Sequence, residues 1–262
     1  MQGRVLIVAG SDSGGGAGIQ ADIKTVTALG GFAMTAVTAL TAQNTTGVTA
    51  IHEVPPEFVT EQMRVVIDDI GVDAVKTGML HDAGIIMAVA DVLDDLNVPV
   101  VVDPVMVAKG GAELLQSDAT TALRDRLLPL AGVLTPNIPE AEALTGITID
   151  SPDAVARAAA ALSEMGAKAV LMKGGHLAGD TVTDTLFEDG ALVGEYSSER
   201  IDTQHTHGTG CTLGSAIAAG LAQGLGLSDA VQRARAYVVE AIRTAPGYGS
   251  GHGPLNHSHA LK

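Results

Sequence analysis

Short, mostly apolar runs rich in β-branched residues alternate along this chain with longer stretches whose apolar residues recur at helical spacing. The runs are Val5–Ala9, Met34–Leu40, Ala74–Thr77, Val98–Val102, Val133–Leu134 and Ala169–Met172. Helical spacing covers Ile19–Leu29, Glu57–Ile70, Ala83–Leu96, Ala119–Leu128, Ala154–Met165, Thr212–Gln223 and Ser228–Arg243, several introduced by Asp, Ser or Pro at the start. A chain that repeats strand and helix in this way folds as a parallel sheet covered on both faces. Val48–Val54 and Thr183–Tyr196, the latter with Asp189-Gly190 as its turn, are hairpin-like and belong at sheet edges. No Pro/Ser-rich linker, charge block or fixed-period repeat interrupts the pattern, so one α/β domain over residues 1–262 is expected.

Composition narrows the partners. Apolar residues make up 46 % of the chain, ample for a core. Aromatics are 2 % with no Trp, and 30 acidic against 15 basic side chains give a formal charge of −15. Such a chain lacks the stacking platforms of single-strand binders and repels a phosphate backbone, which argues against nucleic acid. An anionic small molecule must then be met by local donors such as helix N-termini, a few lysines or a metal. Cys211 is the only cysteine, so no intrachain disulfide forms and a reducing compartment fits. The segment after Met1 is too short for a signal core or a membrane span; no membrane association is expected, and a cytoplasmic location is.

Ligands of parallel sheets gather at the carboxyl ends of the strands, and five loops there are unusual. The first runs from Gly10 to Gly18 with five glycines, a context in which backbone N–H groups can face an anion or polar ligand. A tight turn needing positive φ also accounts for it. It is not a Walker A loop, since no Gly-Lys pair occurs in the chain, and Ile19 stands where a dinucleotide fingerprint needs its third glycine. Asp22, one turn on, suits either a substrate-facing carboxylate or a partner for the helix dipole.

The second loop, Thr206–Thr212, opens a helix of small residues. Gly208, Thr209 and Gly210 would expose consecutive amides, and Cys211 in the first turn is expected to have a lowered pKa and to act as a base. A loosened dinucleotide fingerprint, a metal site of His205, His207 and Cys211, and a merely buried cysteine are the competing readings. In the third loop Asn137 and Glu140 suit Mg2+, or equally a capped helix start. The fourth places Lys173 at a strand end among glycines, a scarce positive charge in an acidic chain. The fifth, Asp103–Gly111, is a lid or simply a loop.

These loops, in this order, resemble the ribokinase-like superfamily and within it the hydroxymethylpyrimidine/phosphomethylpyrimidine kinases of thiamine biosynthesis. The resemblance spans nearly the whole chain: Ala9–Asp22, Thr38–Val48, Lys76–Leu80, Asp103–Met106, Leu134–Glu142, Leu171–His176 and, most specifically, His207–Thr212. Related sugar kinases carry an aspartate where this chain has Cys211. The resemblance implies a three-layer αβα sandwich with a mostly parallel central sheet and small edge hairpins. It also implies ATP- and Mg2+-dependent phosphorylation of 4-amino-5-hydroxymethyl-2-methylpyrimidine and then of its monophosphate. By that likeness Cys211 is the base, with Gly208, Thr209 and Gly210 as the anion hole. Gln43, Gly10, Asp22, Met79 and Val105 line the pyrimidine pocket. Lys173 and, less directly, Asp184 serve ATP, Asn137 and Glu140 hold Mg2+ through water, and a homodimer is expected. A pyridoxal or pyridoxine kinase of the same superfamily is the nearest alternative, and a non-catalytic nucleotide-binding protein the more distant one.

Overall fold

The computed structural model describes residues 2–261 apart from 108–110, 112–113, 116–118 and 177–178, with His176 described by its backbone alone. A nine-stranded sheet runs through it: β1 (Arg4–Asp12), β2 (Phe32–Asn44), β3 (Gly47–Glu53), β4 (Ala74–Thr77), β5 (Val100–Val102), β6 (Val133–Leu134), β7 (Ala169–Met172), β8 (Thr181–Glu188) and β9 (Ala191–Glu199). Its order is β3-β2-β1-β4-β5-β6-β7-β8-β9. The six strands from β2 to β7 are parallel; β3 at one edge and the β8–β9 hairpin at the other are antiparallel.

The period of two along β1 shows how the sheet feeds two cores. Leu6 and Val8 join a cluster with α2 (Pro56–Asp69), α3 (Ala83–Leu93), α5 (Ile138–Thr145) and α6 (Pro152–Glu164). Val5, Ile7 and Ala9 join another with α1 (Gly18–Ala28), α7 (Thr209–Ala222) and α8 (Leu227–Arg243). Helices thus cover both faces in three layers. A helix start is sealed by Asp82 at α3 and by Ser151 at α6, whose side chains accept from Ile85 N–H and Ala154 N–H. No side chain caps α7; its N-cap is Gly208 in the left-handed region at φ 86°.

The expected elements fall where the pattern put them, with three physical differences. The stretch Ala119–Leu128 is not one α-helix: α4 (Ala119–Ala122) gives way to a π turn over Leu123–Leu127 and a 3-10 turn over Leu128–Leu130, where Pro129 has no N–H to continue the ladder. Val48–Val54 is not a hairpin by itself; β3 pairs back onto the end of β2. Helix α5 is only eight residues long, too short for its periodicity to stand out beyond its start at Pro139-Glu140. Of the fifth loop, Asp103–Gly111, expected as a lid or simply a loop, residues 108–110 lie outside the described residues.

Candidate functional site

The strand ends β1, β4, β5 and β7 and the N-terminus of α7 enclose a cavity of about 790 Å3. Of the residues singled out in the sequence, Gly10, Gln43, Met79, Val105, Asn137, Glu140, Lys173, Asp184 and Gly208–Cys211 all line it. Asp22 does not.

At one end stand the two glycine loops, interlocked. Asp12 is buried and turns its carboxylate back into its own loop: Oδ1 accepts from Gly14 N–H at 2.8 Å, and Oδ2 from Gly16 and Ala17 N–H at 3.0 and 2.9 Å. The nest expected to receive a ligand anion is therefore filled by the chain's own carboxylate. His207 Nε2 lies 2.8 Å from the same Oδ2 and 3.3 Å from Gln43 Nε2, while Thr41 Oγ1 donates to Gln43 Oε1 at 3.1 Å. Burial pushes the Asp12 carboxyl up, but the bonds from His207, Ala17 and Gly14 overcome this and hold it below the usual range. A Cβ on Gly208 would collide with the carbonyl oxygen of Gly16, so the second loop sits directly on the first. Met79, Ala39 and Leu114 form a small apolar cluster against Val105, which gives this end a hydrophobic floor beside the Gln43 amide.

Beneath Cys211 lie two lysine–carboxylate pairs, the first buried and the second partly so. Lys76, fully enclosed, reaches both oxygens of Asp22 at 3.0 Å, and Ser215 Oγ donates to Asp22 at 2.7 Å. Asp22 thus stands behind the wall, in the gap between α1 and α7, with Lys76 between it and the cavity. This corrects its expected place beside the substrate. The signal for Lys76 was a lysine inside an otherwise apolar strand run. Lys173 donates to Asp103 Oδ1 at 3.0 Å and lies 3.7 Å from Glu140 Oε2. Each lysine loses solvation on burial, yet its carboxylate partners hold its pKa above the ordinary value.

Cys211 departs from expectation. Burial pushes its thiol up to about 11, with the charges of Asp22 and Asp103 adding to the rise, against the opposing pull of Lys76 and of the Gly18 N–H aimed at the sulfur. Desolvation of a thiolate outweighs the helix terminus here, so the lowered pKa inferred from position alone is not what the site builds.

Asn137 and Glu140 form a reciprocal capping box: Glu140 N–H donates to Asn137 Oδ1 at 2.9 Å and Asn137 N–H to Glu140 Oε2 at 2.8 Å. Burial and the charge of Asp103 push the Glu140 carboxyl up to about 7, against Lys173 and the Asn137 N–H. Among the described residues no three His, Cys, Asp or Glu side chains form a metal-binding group, and His207 is spent on Asp12, which sets aside the reading of His205, His207 and Cys211 as ligands. No strand leads into Gly208 either, as a dinucleotide fingerprint requires. Asp184 is buried with both oxygens engaged, Oδ1 by Gly174 N–H and Oδ2 by Arg235 Nε, each at 2.8 Å. Nothing at the sequence level singled out Asp12 or Arg235, because their partners come from distant strands and helices.

The uncapped α7 start is held from outside by the C-terminal segment. Gly253 carbonyl accepts from His207 N–H at 3.1 Å, Thr45 carbonyl accepts from His252 N–H at 2.8 Å, and Thr212 Oγ1 lies 2.9 Å from His257 Nε2. Burial, with the Lys24 charge, pushes His257 down to about 4, so its ring meets the Thr212 hydroxyl in the neutral form. Gly210 and Cys211 amides are left to the cavity, which is what an anion needs.

The family model described as phosphomethylpyrimidine kinase matches residues 12–256. Over 98 % of its length the chain is 57 % identical to the thiamine biosynthesis bifunctional protein of Geobacter sulfurreducens, of which it spans about half (52 %). It is 52 % identical to the hydroxymethylpyrimidine/phosphomethylpyrimidine kinase of Streptomyces coelicolor, covering 98 % of this chain and 95 % of that one. Among solved structures, an ADP complex of Bacillus subtilis pyridoxal kinase superposes with a TM-score of 0.91 at 37 % identity, covering 98 % of both chains.

Proposed function

The chain belongs to the phosphomethylpyrimidine kinase family and is a phosphotransferase with the ribokinase-like fold, and we propose that it transfers the γ-phosphoryl group of ATP to 4-amino-5-hydroxymethyl-2-methylpyrimidine and then to the monophosphate, in thiamine biosynthesis. The observation that carries this reading is one cavity with two unlike ends. Gln43 and the Met79–Val105 floor offer an amide and an apolar plate for an aminopyrimidine ring; the free amides of α7 and Lys173 offer donors for phosphate.

Phosphoryl transfer asks for alignment and for charge stabilisation on the moving group. The open amides of Gly210 and Cys211 present the α7 start to that group, Thr209 N–H being spent on the Thr206 carbonyl, and Lys173, already paired to Asp103, adds a fixed positive charge. Cys211 takes the hydroxyl proton as thiolate, and Lys76 together with the Gly18 N–H supports the negative sulfur. Since the thiolate is the minority species at neutral pH, this base acts late, when the attacking hydroxyl has become acidic. Mg2+ fits the donor set through Glu140, whose hydrogen bond in the capping box uses only Oε2, with Asn137 holding that carboxylate in place. A bound Mg2+ supplies neutralisation of phosphate charge.

We place the enzyme in the cytoplasm as a homodimer; among the described residues no helix is long and apolar enough to cross a membrane. The exposed edge strand β3 is the surface to be covered by a partner. A solution mass of one chain at micromolar concentration would remove the dimer. Pyridoxal phosphorylation is the second reading, favoured by the likeness to a pyridoxal kinase structure. A panel of hydroxymethylpyrimidine, its monophosphate and pyridoxal with ATP, read by mass spectrometry, separates the two; exclusive turnover of pyridoxal overturns the pyrimidine assignment.

A further inference from the structure

Among the described residues two besides glycine have a positive φ: Asp189, in the Asp189-Gly190 turn of the β8–β9 hairpin, and His81 at 70°. No hairpin accounts for His81. It follows Met79-Leu80 at the end of β4, and Asp82 N–H donates across it to the Leu80 carbonyl at 2.9 Å, closing a three-residue turn of the rare, strained kind just before α3. Such a backbone persists only where its surroundings hold it. Here the hold is the imidazole, which is 9 % exposed and reaches two segments remote in the chain. Nδ1 lies 2.9 Å from the Leu114 carbonyl, which can only accept, so that nitrogen carries a proton; Nε2 lies 2.9 Å from Glu53 Oε1. The Glu53 side chain stands half in solvent, where a charged pair contributes little, so the Leu114 bond is the one that fixes position.

These contacts converge on the apolar floor beside Gln43, built from Ala39, Met79 and Leu114 with Val105 against them. Met79 stands two residues before His81, and Thr38 Oγ1 donates to its carbonyl at 2.7 Å. Glu53 is the β3 residue paired with Ala39. Leu114 belongs to no strand or helix, so its place depends on single bonds: its N–H donates to the Met106 carbonyl at 2.8 Å, and its carbonyl is taken by His81. We infer that His81 is a positioning residue for the phosphoryl acceptor: by tying the Leu114 carbonyl to the end of β4, it sets where the apolar floor lies against the acceptor ring. His81 does not itself line the cavity and acts through Leu114. The inference rests on the reading of the Gln43 end as the acceptor end.

The test is steady-state kinetics of the full chain with ATP and 4-amino-5-hydroxymethyl-2-methylpyrimidine. His81→Gly accepts the positive φ and removes both ring bonds; the KM for the pyrimidine is expected to rise about tenfold while the KM for ATP moves less than about twofold. His81→Asn tolerates the same φ and keeps an N–H at the Nδ1 position, so the pyrimidine KM is expected to return to within about threefold of wild type. His81→Asp has the same shape but, ionised at pH 8, only accepts; it is expected to behave as the glycine variant and takes its place if that one does not fold. A wild-type pyrimidine KM in the glycine variant, equal values for Asn and Asp, an equal rise in both KM values, or a fall in Tm with both kept, overturns the inference. Gln43→Leu on the same substrate separates the two readings. If it leaves the pyrimidine KM unchanged, the acceptor end itself is misplaced and the inference falls with it; if it raises that KM and His81→Gly does not, only the inference falls.

Discussion

Asp12 Oδ2 lies 2.8 Å from His207 Nε2 and accepts at the same time from the amides of Gly16 and Ala17, so one carboxylate joins two glycine loops that are 195 residues apart in the chain. The folded-state pKa of Asp12 lies below its ordinary value of about 3.9, because these bonds outweigh the rise from burial. Its stabilisation is therefore complete above that value and is lost as pH falls through the folded one. Asp12→Ala is expected to destabilise the fold by about 2–3 kcal/mol at pH 7 and to flatten the loss of stability below about pH 4. Urea unfolding at several pH values checks both; an unchanged acid limb would show that Asp12 does not carry it.

Gly208 is required by two independent features, its φ of 86° and the Gly16 carbonyl that a Cβ would strike. Gly208→Ala should lower Tm and also cut turnover, since neither loop can retreat without moving the α7 start. An alanine variant with wild-type kcat would show that the close approach relaxes at no cost.

Lys76→Met leaves the Asp22 carboxylate buried with only Ser215 for company. The expected loss is about 3–5 kcal/mol, with partial recovery in the Lys76→Met, Asp22→Asn pair. Chemical denaturation of the four proteins of this cycle measures the coupling; strict additivity would mean that the two side chains do not support one another.

Cys211, with its thiol pushed up to about 11, should react slowly with iodoacetamide at pH 7 and faster by about tenfold per pH unit up to that value, with protection by bound pyrimidine. If it is the base, kcat climbs with pH over the same range, and Cys211→Ala lowers turnover about 100-fold or more without a matching loss of Tm. Near-wild-type turnover in that variant would remove the base and leave the α7 amides standing.

Gln43→Leu should weaken pyrimidine binding by about 1–3 kcal/mol and leave the KM for ATP in place, because Gln43 sits at the His207 end of the cavity. A raised KM for ATP with an unchanged one for the pyrimidine would put it on the wrong side.

Strand and helix order, the two antiparallel edges and the loops that line the cavity were legible in the sequence, since each follows from the period of apolar residues or from a local cluster of glycines, prolines and caps. Even the capping box of Asn137 and Glu140 was available as one of two readings, because a cap is decided within four residues. Tertiary structure alone decided the charges. Asp12 fills the glycine nest, Asp22 hides behind Lys76, and the Cys211 thiol is raised rather than lowered, because pairing and desolvation depend on what α1, α7 and the C-terminal segment bring together across the sheet. Periodicity says which face of an element is buried; it does not say which charge will be waiting there.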